Sequence, residues 1–321
     1  MHRCAILDDY QNVALSLGDW ASLGSEVEVN VFNEHIADHG KLVAALTDFD
    51  IVVAMRERTP FDAALIKALP KLKLLVTTGP RNLSIDVAAC EARGITLCGT
   101  GSIAGATVEL AWALILSLAR NIPAEVADFR AGAKWQPRIS LDLAGRRLGI
   151  IGFGRLGARV ARVGAAFGMD VVAWTPNLTD ERVKAEGVGR AGSLDELLKT
   201  SDFVTIHVVL NASSRGMIGT RELGLMKPTA YLVNTSRGPI VDEAALVSAL
   251  QGKRIAGAAL DVFDVEPLPA GHPFRRLDNL IATPHIGYVT DGTYRVFFRD
   301  IVEDISAWLK GAPVRVIASK K

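Results

Sequence analysis

The chain has 321 residues, 49% hydrophobic and 22% charged, a composition that predicts two packed domains and excludes extensive disorder. Lys and Arg number 36 against 35 Asp and Glu, so the formal net charge of +1 argues against nucleic acid or an anionic membrane as the main partner. The three cysteines have no metal-ligand spacing, the N-terminal apolar run is too short for a signal-peptide core, and the most apolar later stretch is too short and too polar for a membrane span, so we expect a cytoplasmic protein without a metal site.

Short aliphatic runs alternate with helix-period segments through the first hundred residues. Strands are predicted at residues 4–7, 27–32, 51–55 and 72–76, and helices at residues 61–69 and 85–93. Pro and Gly residues bound these segments, as expected for elements joined by tight connections. The alternation predicts an α/β domain with a parallel sheet.

A second alternating series occupies the following half of the chain. Its predicted strands are residues 148–151, 171–174, 203–208, 231–233, 255–260 and 280–282, with helices at residues 155–167, 194–198 and 242–250. Ser193 and Glu196 have the spacing of a capping box at the start of the second of these helices.

An apolar helix predicted at residues 103–120 and an irregular stretch at residues 132–137 separate the two series. An amphipathic helix containing Ile301 and Trp308 follows the last strand, and no strand of the second series remains for it to enter. We therefore predict that the chain returns to its first domain, so that residues 1–101 and 288–321 form one domain and residues 102–287 form the other. Residues 319–321 are expected to be frayed.

A glycine turn follows the strand at residues 148–151 and opens a helix. Gly152 permits the tight turn, Gly154 allows the backbone to approach a pyrophosphate, and Gly157 lets the helix pack closely on the strand. Free N–H groups at the positive end of the helix then bind the phosphates. The turn therefore predicts a bound dinucleotide; the alternative is a glycine-rich strand–helix corner without a ligand.

The residues after the second strand of this series decide between NAD and NADP. An acidic residue there would bind the ribose hydroxyls, whereas an Arg would accommodate a 2′-phosphate. The sequence is Trp174-Thr175-Pro176-Asn177, which contains neither. The cofactor is therefore predicted only as NAD or NADP, with NAD favoured.

Three charged or titratable residues follow later strands of the same series. Arg237 lies after residues 231–233, Glu266 after 255–260 and His285 after 280–282. Because ligands bind at the carboxyl ends of strands in an open α/β sheet, all three are expected at one crevice. An Arg matches a carboxylate, a His transfers protons near neutral pH, and a carboxylate beside an imidazole favours its protonated form. Taken singly, they could equally be a surface ion-pair residue, a turn residue and a loop histidine.

With the glycine turn, the motifs Asn234-Thr235-Ser236-Arg237-Gly238-Pro239, Asp261-Val262-Phe263-Asp264-Val265-Glu266-Pro267 and Thr283-Pro284-His285-Ile286-Gly287 resemble those of the D-isomer-specific 2-hydroxyacid dehydrogenases. The resemblance covers nearly the whole chain. It implies hydride transfer between NAD(P) and a D-2-hydroxy acid or 2-keto acid, with Arg237 binding the substrate, His285 as the acid/base and Glu266 as its partner. It also implies a Rossmann dinucleotide-binding domain inserted into a flavodoxin-like substrate domain, both doubly wound around parallel sheets.

The resemblance further implies a set of cofactor contacts. Asp261 matches the position that hydrogen-bonds the nicotinamide carboxamide, and His207 lies at a strand end beside the cofactor groove, where a structural role is the alternative. The expected contacts are Gly152, Gly154, Arg155, Leu156, Gly157, Trp174, Thr175, His207, Val208, Thr235, Ser236, Asp261 and Gly287. The apolar helix with Trp112, together with the arm through Trp135, resembles the family's dimer interface and predicts a homodimer.

The chain departs from the family in the loop that should hold the other end of the substrate. Family members usually have a glycine-rich loop whose backbone N–H groups meet the substrate carboxylate. Here the loop contains Thr78 and Gly79, but Pro80 removes an N–H donor and Arg81 adds a cation. Arg56 is predicted to face the same substrate from the preceding loop. These residues predict a pocket for a substrate with an extra anionic or polar group; the alternative for Arg81 is a surface residue in an altered loop.

Two other classes of protein share features of this family. Formate dehydrogenases share the fold, but their reaction needs no proton donor of this kind, so the Glu266 and His285 pair argues against them. Dinucleotide-sensing corepressors of the C-terminal-binding type keep similar residues. The long flanking disordered segments that would recruit partners are not expected in this chain.

Overall fold

The computed structural model describes residues 1–319, and its contacts divide the chain into two units. One unit comprises Met1–Ile103 together with the chain from Val289 onward, and the other comprises Ala104–Tyr288.

The first unit is built on a parallel five-stranded sheet in the order β2-β1-β3-β4-β5. The strands are β1 (His2–Ile6), β2 (Val27–Val31), β3 (Ile51–Ala54), β4 (Leu74–Thr77) and β5 (Thr96–Gly99). The helices between them are α1 (Ala14–Leu17), α2 (His39–Leu46), α3 (Ala63–Ala68) and α4 (Val87–Ala92), with a 3-10 segment at Trp20–Glu26. β3 and β4 are buried along their whole length, as expected for strands covered on both faces.

Helices α2, α3 and α4 each begin at an aspartate. The Asp38, Asp62 and Asp86 carboxylates accept hydrogen bonds from backbone N–H groups in the first turn of the following helix. Such N-caps satisfy donors that have no partner within the helix. The strand β5 was not predicted, because its four residues follow the exposed turn of Gly94 without an alternating pattern.

The second unit contains a parallel seven-stranded sheet in the order β12-β11-β10-β9-β6-β7-β8. Its strands are β6 (Arg147–Ile151), β7 (Asp170–Trp174), β8 (Gly189–Arg190), β9 (Phe203–Ile206), β10 (Tyr231–Asn234), β11 (Gly257–Leu260) and β12 (Leu280–Ala282). Its helices are α5 (Gly105–Arg120), α6 (Ile122–Arg130), α7 (Arg155–Ala166), α8 (Asp180–Lys184), α9 (Leu194–Thr200), α10 (Thr220–Leu225) and α11 (Glu243–Gln251), with 3-10 segments at Gly238–Ile240 and Pro273–Arg276.

The central strand β6 lies between β7 and β9, so the direction of the connections reverses beside it. A ligand-binding crevice is expected at such a switch point, outside the carboxyl ends of the strands. The glycine turn follows β6 and therefore lies at this position.

Helix α5 contributes most of its apolar surface to the core of the second unit. Trp112, Leu114, Ile115 and Leu118 are buried, and the Trp112 indole N–H donates to the Val160 carbonyl at 3.3 Å. Trp112 was predicted in an interface between subunits, but the core of its own unit accounts for its burial. A group of exposed apolar residues (Ile122, Val126, Phe129, Trp135 and Ile139) lies instead on α6 and the segment that follows it, and α6 itself was not predicted.

The last helix, α12 (Asp291–Leu309), belongs to the first unit, and its Phe297, Phe298 and Ile301 are buried there. Beyond it, the backbone at Arg315 and Ile317 bonds to β5. The predicted fraying of residues 319–321 falls outside the described residues except at Ser319, whose N–H donates to Glu91 at 2.7 Å.

The two parallel sheets confirm the predicted fold class, a Rossmann domain inserted into a flavodoxin-like domain. Within residues 1–319, no single helix has the length and apolar character of a membrane span. Helices α5 and α6 are long and apolar enough only when they are taken together, and their axes meet at 63°.

Candidate active site

The glycine turn after β6 is too crowded for side chains at two of its three glycines. Gly152 has a φ of +97°, and a Cβ there would lie 2.7 Å from the backbone carbonyl of His207. A Cβ at Gly157 would collide with the carbonyl oxygen of Gly152. A Cβ at Gly154, by contrast, would meet no atom within 4 Å.

This open space at Gly154 lies at the amino end of α7, where backbone N–H groups lack helical partners. Arg155 is exposed there and Leu156 is half-buried. The space and the donors fit the pyrophosphate of a dinucleotide, since a helix amino terminus attracts phosphate.

The end of β7 lies directly against this turn. The Gly152 N–H donates to the Trp174 carbonyl at 2.8 Å, which places Thr175 beside the turn. Thr175 and Trp174 are half-buried, and Thr175 accepts a backbone hydrogen bond from Leu178 at 3.1 Å. A neutral hydroxyl therefore stands where an acidic residue would bind the ribose.

His207 follows β9 and is held as a neutral imidazole. Its Nε2 lies 2.9 Å from the Thr205 hydroxyl, and burial lowers the pKa of His207 to about 4. The next carbonyl, that of Val208, accepts a hydrogen bond from the Ser236 hydroxyl. Among the described residues, the buried Thr235 hydroxyl has no hydrogen-bond partner, and its unsatisfied oxygen lies in the loop where a cofactor contact is predicted.

His285 and Glu266 form a direct acid–imidazole pair. The His285 Nδ1 lies 2.6 Å from Glu266 Oε2, and Glu266 Oε1 accepts the Phe263 N–H at 2.9 Å. A carboxylate at Nδ1 assigns the ring hydrogen to that nitrogen, which leaves Nε2 to exchange a proton. The Glu266 carboxylate therefore links the loop after β11 to the loop after β12.

The backbone at His285 is left-handed, with a φ of +53°. This conformation costs a side-chain-bearing residue roughly 1–2 kcal/mol, so the surrounding structure must hold it. Asp261, directly after β11, does so: its Oδ1 accepts hydrogen bonds from the Thr283 hydroxyl at 2.6 Å and the Ile286 N–H at 2.8 Å, and its Oδ2 accepts one from the Gly287 N–H at 2.8 Å. Burial raises the pKa of Asp261, while these three hydrogen bonds favour its charged form.

Arg237 lies in the loop after β10, next to the loop that carries Glu266. The Asn234 side-chain amide donates to the Arg237 carbonyl at 2.9 Å, and Arg237 Nη1 donates to the Ser236 carbonyl at 2.7 Å. Gly238 rests against the backbone of Phe263, and a Cβ at Gly238 would collide with it. The structure therefore joins the three predicted catalytic residues through adjacent loops on β10, β11 and β12.

The contact at Gly238 predicts a large effect of a single methyl group. In a Gly238→Ala variant, the added Cβ must push the loop of Arg237 away from Phe263, so we expect at least a tenfold loss of kcat and a lower unfolding temperature. Steady-state kinetics and calorimetry measure both. A Gly224→Ala variant is the control, because a Cβ at Gly224 meets nothing within 4 Å. Equal behaviour of the two variants would contradict the prediction.

The predicted substrate residues of the first unit lie in the loops after β3 and β4. The Arg56 N–H donates to the Thr78 hydroxyl at 2.9 Å, and Arg56 Nη1 donates to the Thr78 carbonyl at 3.1 Å. Gly79, with a φ of +88°, lies under the Arg56 guanidinium. Arg81 is exposed, and its side chain has no partner among residues 1–319. Sequence reasoning missed Asn82, which ties the two loops together.

The second unit matches a known protein family. A sequence model described as "D-isomer specific 2-hydroxyacid dehydrogenase, NAD binding domain" matches residues 112–287. The chain is 37% identical over 287 residues to a glyoxylate reductase of Korarchaeum cryptofilum, covering 88% of this chain and 83% of that one. It is 36% identical over 273 residues to a D-3-phosphoglycerate dehydrogenase of Methanocaldococcus jannaschii, covering 84% of this chain but only 52% of that longer protein.

A solved structure of a phosphoglycerate oxidoreductase from Vibrio cholerae has 36% sequence identity and a TM-score of 0.92, covering 97% of this chain and 100% of that one. The matched family model and the two parallel sheets agree with one another. The chain belongs to the D-isomer-specific 2-hydroxyacid dehydrogenase family.

Proposed function

We propose that the protein reduces a 2-keto acid to a D-2-hydroxy acid, or catalyses the reverse reaction, with His285 as the acid/base, Glu266 as its partner and Arg237 as the ligand of the substrate carboxylate. The observation that carries this proposal is the 2.6 Å contact between His285 Nδ1 and Glu266 Oε2. It holds the imidazole through Nδ1, so that Nε2 is the ring nitrogen left to exchange a proton with the substrate.

In the reductive direction, the reduced nicotinamide would supply a hydride to the carbonyl carbon when bound. His285 Nε2 gives its proton to the carbonyl oxygen, and the ring is left neutral with its Nδ1–H on Glu266. Arg237 holds the carboxylate of the substrate through its planar fork of donors. The sum is one keto acid, one NADH and one proton converted to one hydroxy acid and NAD⁺.

The cofactor is proposed to lie along the carboxyl edge of the second sheet. The amino end of α7, with Gly152, Gly154, Arg155, Leu156 and Gly157, would hold the pyrophosphate. The remaining proposed contacts lie at the ends of the other strands: Trp174, Thr175, His207, Val208, Thr235, Ser236, Asp261 and Gly287. Both carboxylate oxygens of Asp261 accept hydrogen bonds from residues 283–287. This favours a role for Asp261 in holding that loop, in addition to any contact with the nicotinamide carboxamide.

NAD is proposed as the preferred cofactor, with NADP accepted because Thr175 offers no negative charge. A Thr175→Asp variant would bind the ribose hydroxyls and repel a 2′-phosphate. We expect kcat/KM with NADPH to fall at least tenfold while that with NADH is kept or improved. Thr220→Asp, which adds the same charge at the exposed start of α10, is the control. An equal change with both cofactors would contradict the prediction.

In the first unit, Arg56, Thr78, Gly79 and Arg81 are proposed to contact the substrate. The unpartnered cation at Arg81 favours a keto acid that carries a second anionic or polar group. The test is a panel of glyoxylate, hydroxypyruvate, pyruvate, a 2-keto dicarboxylate and a phosphorylated 2-keto acid, each with NADH and with NADPH. Tight NADH binding without turnover of any of them would overturn the proposed reaction and favour a dinucleotide-sensing protein.

A homodimer is proposed through α6 and the segment after it. Phe129, Trp135 and Ile139 are exposed to 73%, 75% and 97%, and the Phe129 and Trp135 rings pack at 6.4 Å. Such an apolar patch is characteristic of an interaction surface. Light scattering that finds a monomer at micromolar concentration would refute the dimer.

Action in the cytoplasm is proposed because Cys4, Cys90 and Cys98 are all buried free thiols.

A further inference from the structure

The turn after β4 offers few backbone donors to an anion. The Thr78 N–H donates to the Ala54 carbonyl at 3.0 Å, and the Gly79 N–H donates to the Thr100 hydroxyl at 2.7 Å. Pro80 has no N–H. An anion that approaches this turn therefore meets no available backbone donor before Arg81.

The guanidinium of Arg56 occupies the surface of this turn. Arg56 Nη1 donates to the Thr78 carbonyl at 3.1 Å and lies where a side chain at Gly79 would project. The Arg56 side chain is 17% exposed, and Glu57 Oε1 lies 3.4 Å from Nη2. A planar cation, partly balanced by Glu57, thus stands in the place of backbone donors. Its fork of N–H groups matches the two oxygens of a carboxylate.

The position of this guanidinium depends on a left-handed backbone at Arg56, with a φ of +52°. Two side chains from the next loop hold that backbone. The Thr78 hydroxyl accepts the Arg56 N–H at 2.9 Å, and the Asn82 side-chain amide donates to the Arg56 carbonyl at 2.6 Å.

Asn82 is built to make this connection. The side-chain amide also donates to the Thr77 hydroxyl at 2.9 Å, and its oxygen accepts the Ser84 N–H at 2.9 Å. Asn82 is only 8% exposed, so these bonds are made without competition from solvent. It links the loops after β3 and β4 at the point where Arg56 leaves the strand.

We propose that Asn82 is a positioning residue that presents Arg56 as the receptor for a carboxylate of the substrate, in place of backbone N–H groups. The proposal rests on the proposed 2-keto acid reductase function. It assigns Asn82 no contact with substrate: its effect is transmitted through Arg56.

A double-mutant cycle on the full-length protein tests this assignment. Removing a hydrogen bond to a charged group weakens binding about 10- to 100-fold, so Arg56→Gln should raise KM for glyoxylate by that factor, with less change in kcat and none in the Kd of NADH. Asn82→Val should raise the same KM about fivefold or more, since coupled residues interact strongly. The Arg56→Gln/Asn82→Val double variant should resemble Arg56→Gln alone.

Asn279→Val is the matched control, because the Asn279 amide also bridges two backbone carbonyls, those of Leu250 and Ala256, in the second unit. It should leave KM for glyoxylate unchanged. The proposal is overturned by an unchanged KM in Arg56→Gln, or by an Asn82→Val effect that persists in full in the double variant. If Asn82→Val does not fold, Asn82→Asp, which keeps the shape and the acceptor but lacks both donors, provides the same comparison.

The failure of the proposed function can be recognised separately. A wild-type protein that turns over no keto acid contradicts that function, and calorimetric binding of oxalate then measures the receptor directly. The proposal is supported if oxalate binds more tightly to the wild type and the Asn279→Val variant than to the Arg56→Gln and Asn82→Val variants. Equal binding by all four proteins, or no binding by the wild type, overturns it.

Discussion

Replacing His285 with alanine is expected to lower kcat for keto acid reduction by about 10²- to 10⁴-fold, the usual contribution of a general acid. The Kd of NADH should stay within about twofold of its wild-type value, because the proposed main contacts of the cofactor lie at the glycine turn after β6, on another strand. Single-turnover reduction and fluorescence titration with NADH measure the two quantities separately.

The control for this variant is His272→Ala. His272 Nε2 lies 3.3 Å from Glu243 Oε2, so this change also removes an imidazole from a carboxylate within the second unit. It should retain most of the activity. The kcat of Glu266→Gln should lie between those of His285→Ala and His272→Ala, since a glutamine oxygen can still accept the Nδ1–H but carries no charge. Turnover that survives in His285→Ala would show that another group is the proton donor.

The second large effect is expected from Asp261→Ala. The carboxylate is fully buried and accepts hydrogen bonds from Thr283, Ile286 and Gly287, so its removal leaves three polar groups without an acceptor. Each unsatisfied group costs about 1–3 kcal/mol, so we expect the free energy of unfolding to fall by roughly 3 kcal/mol or more. The left-handed backbone of His285 loses its support, and kcat should fall as well.

Asp261→Asn separates these effects. The amide keeps one acceptor oxygen but places an NH₂ group opposite an N–H donor, so we expect an intermediate loss of stability. Urea unfolding followed by circular dichroism gives the free energies, and kcat is measured where each variant is folded. An unchanged unfolding midpoint in Asp261→Ala would show that residues 283–287 do not depend on this carboxylate.

Several elements escaped the sequence prediction. The strand β5 follows the exposed turn of Gly94 without an alternating pattern, and β8 has only two residues; both form because neighbouring strands already present a hydrogen-bonding edge. The helix α6 has no buried residue, and its apolar residues Ile122, Val126 and Phe129 lie outside the core of its own unit. For the two strands, the tertiary context provides what the local sequence does not.

The site residues also divide into those that were predicted from the sequence and those that were not. Gly152, Arg237, Glu266 and His285 were predicted because each belongs to a short motif directly after a strand, and strand ends of a parallel sheet meet at one edge. Asn82 was not predicted, because an isolated asparagine in a loop has no local pattern. Its partner Arg56 lies 26 positions away in the sequence.

The sequence by itself determined the fold class, the glycine turn and the types of residue that stand at the strand ends, since these follow from periodicity and from contiguous motifs. Only the tertiary structure decided which donors and acceptors are already engaged. It joined His285 to Glu266, engaged both oxygens of Asp261 with the loop of His285, and placed the Arg56 guanidinium over Gly79. Hydrogen bonds between distant loops depend on the packing of the sheets, and no local pattern in the chain specifies them.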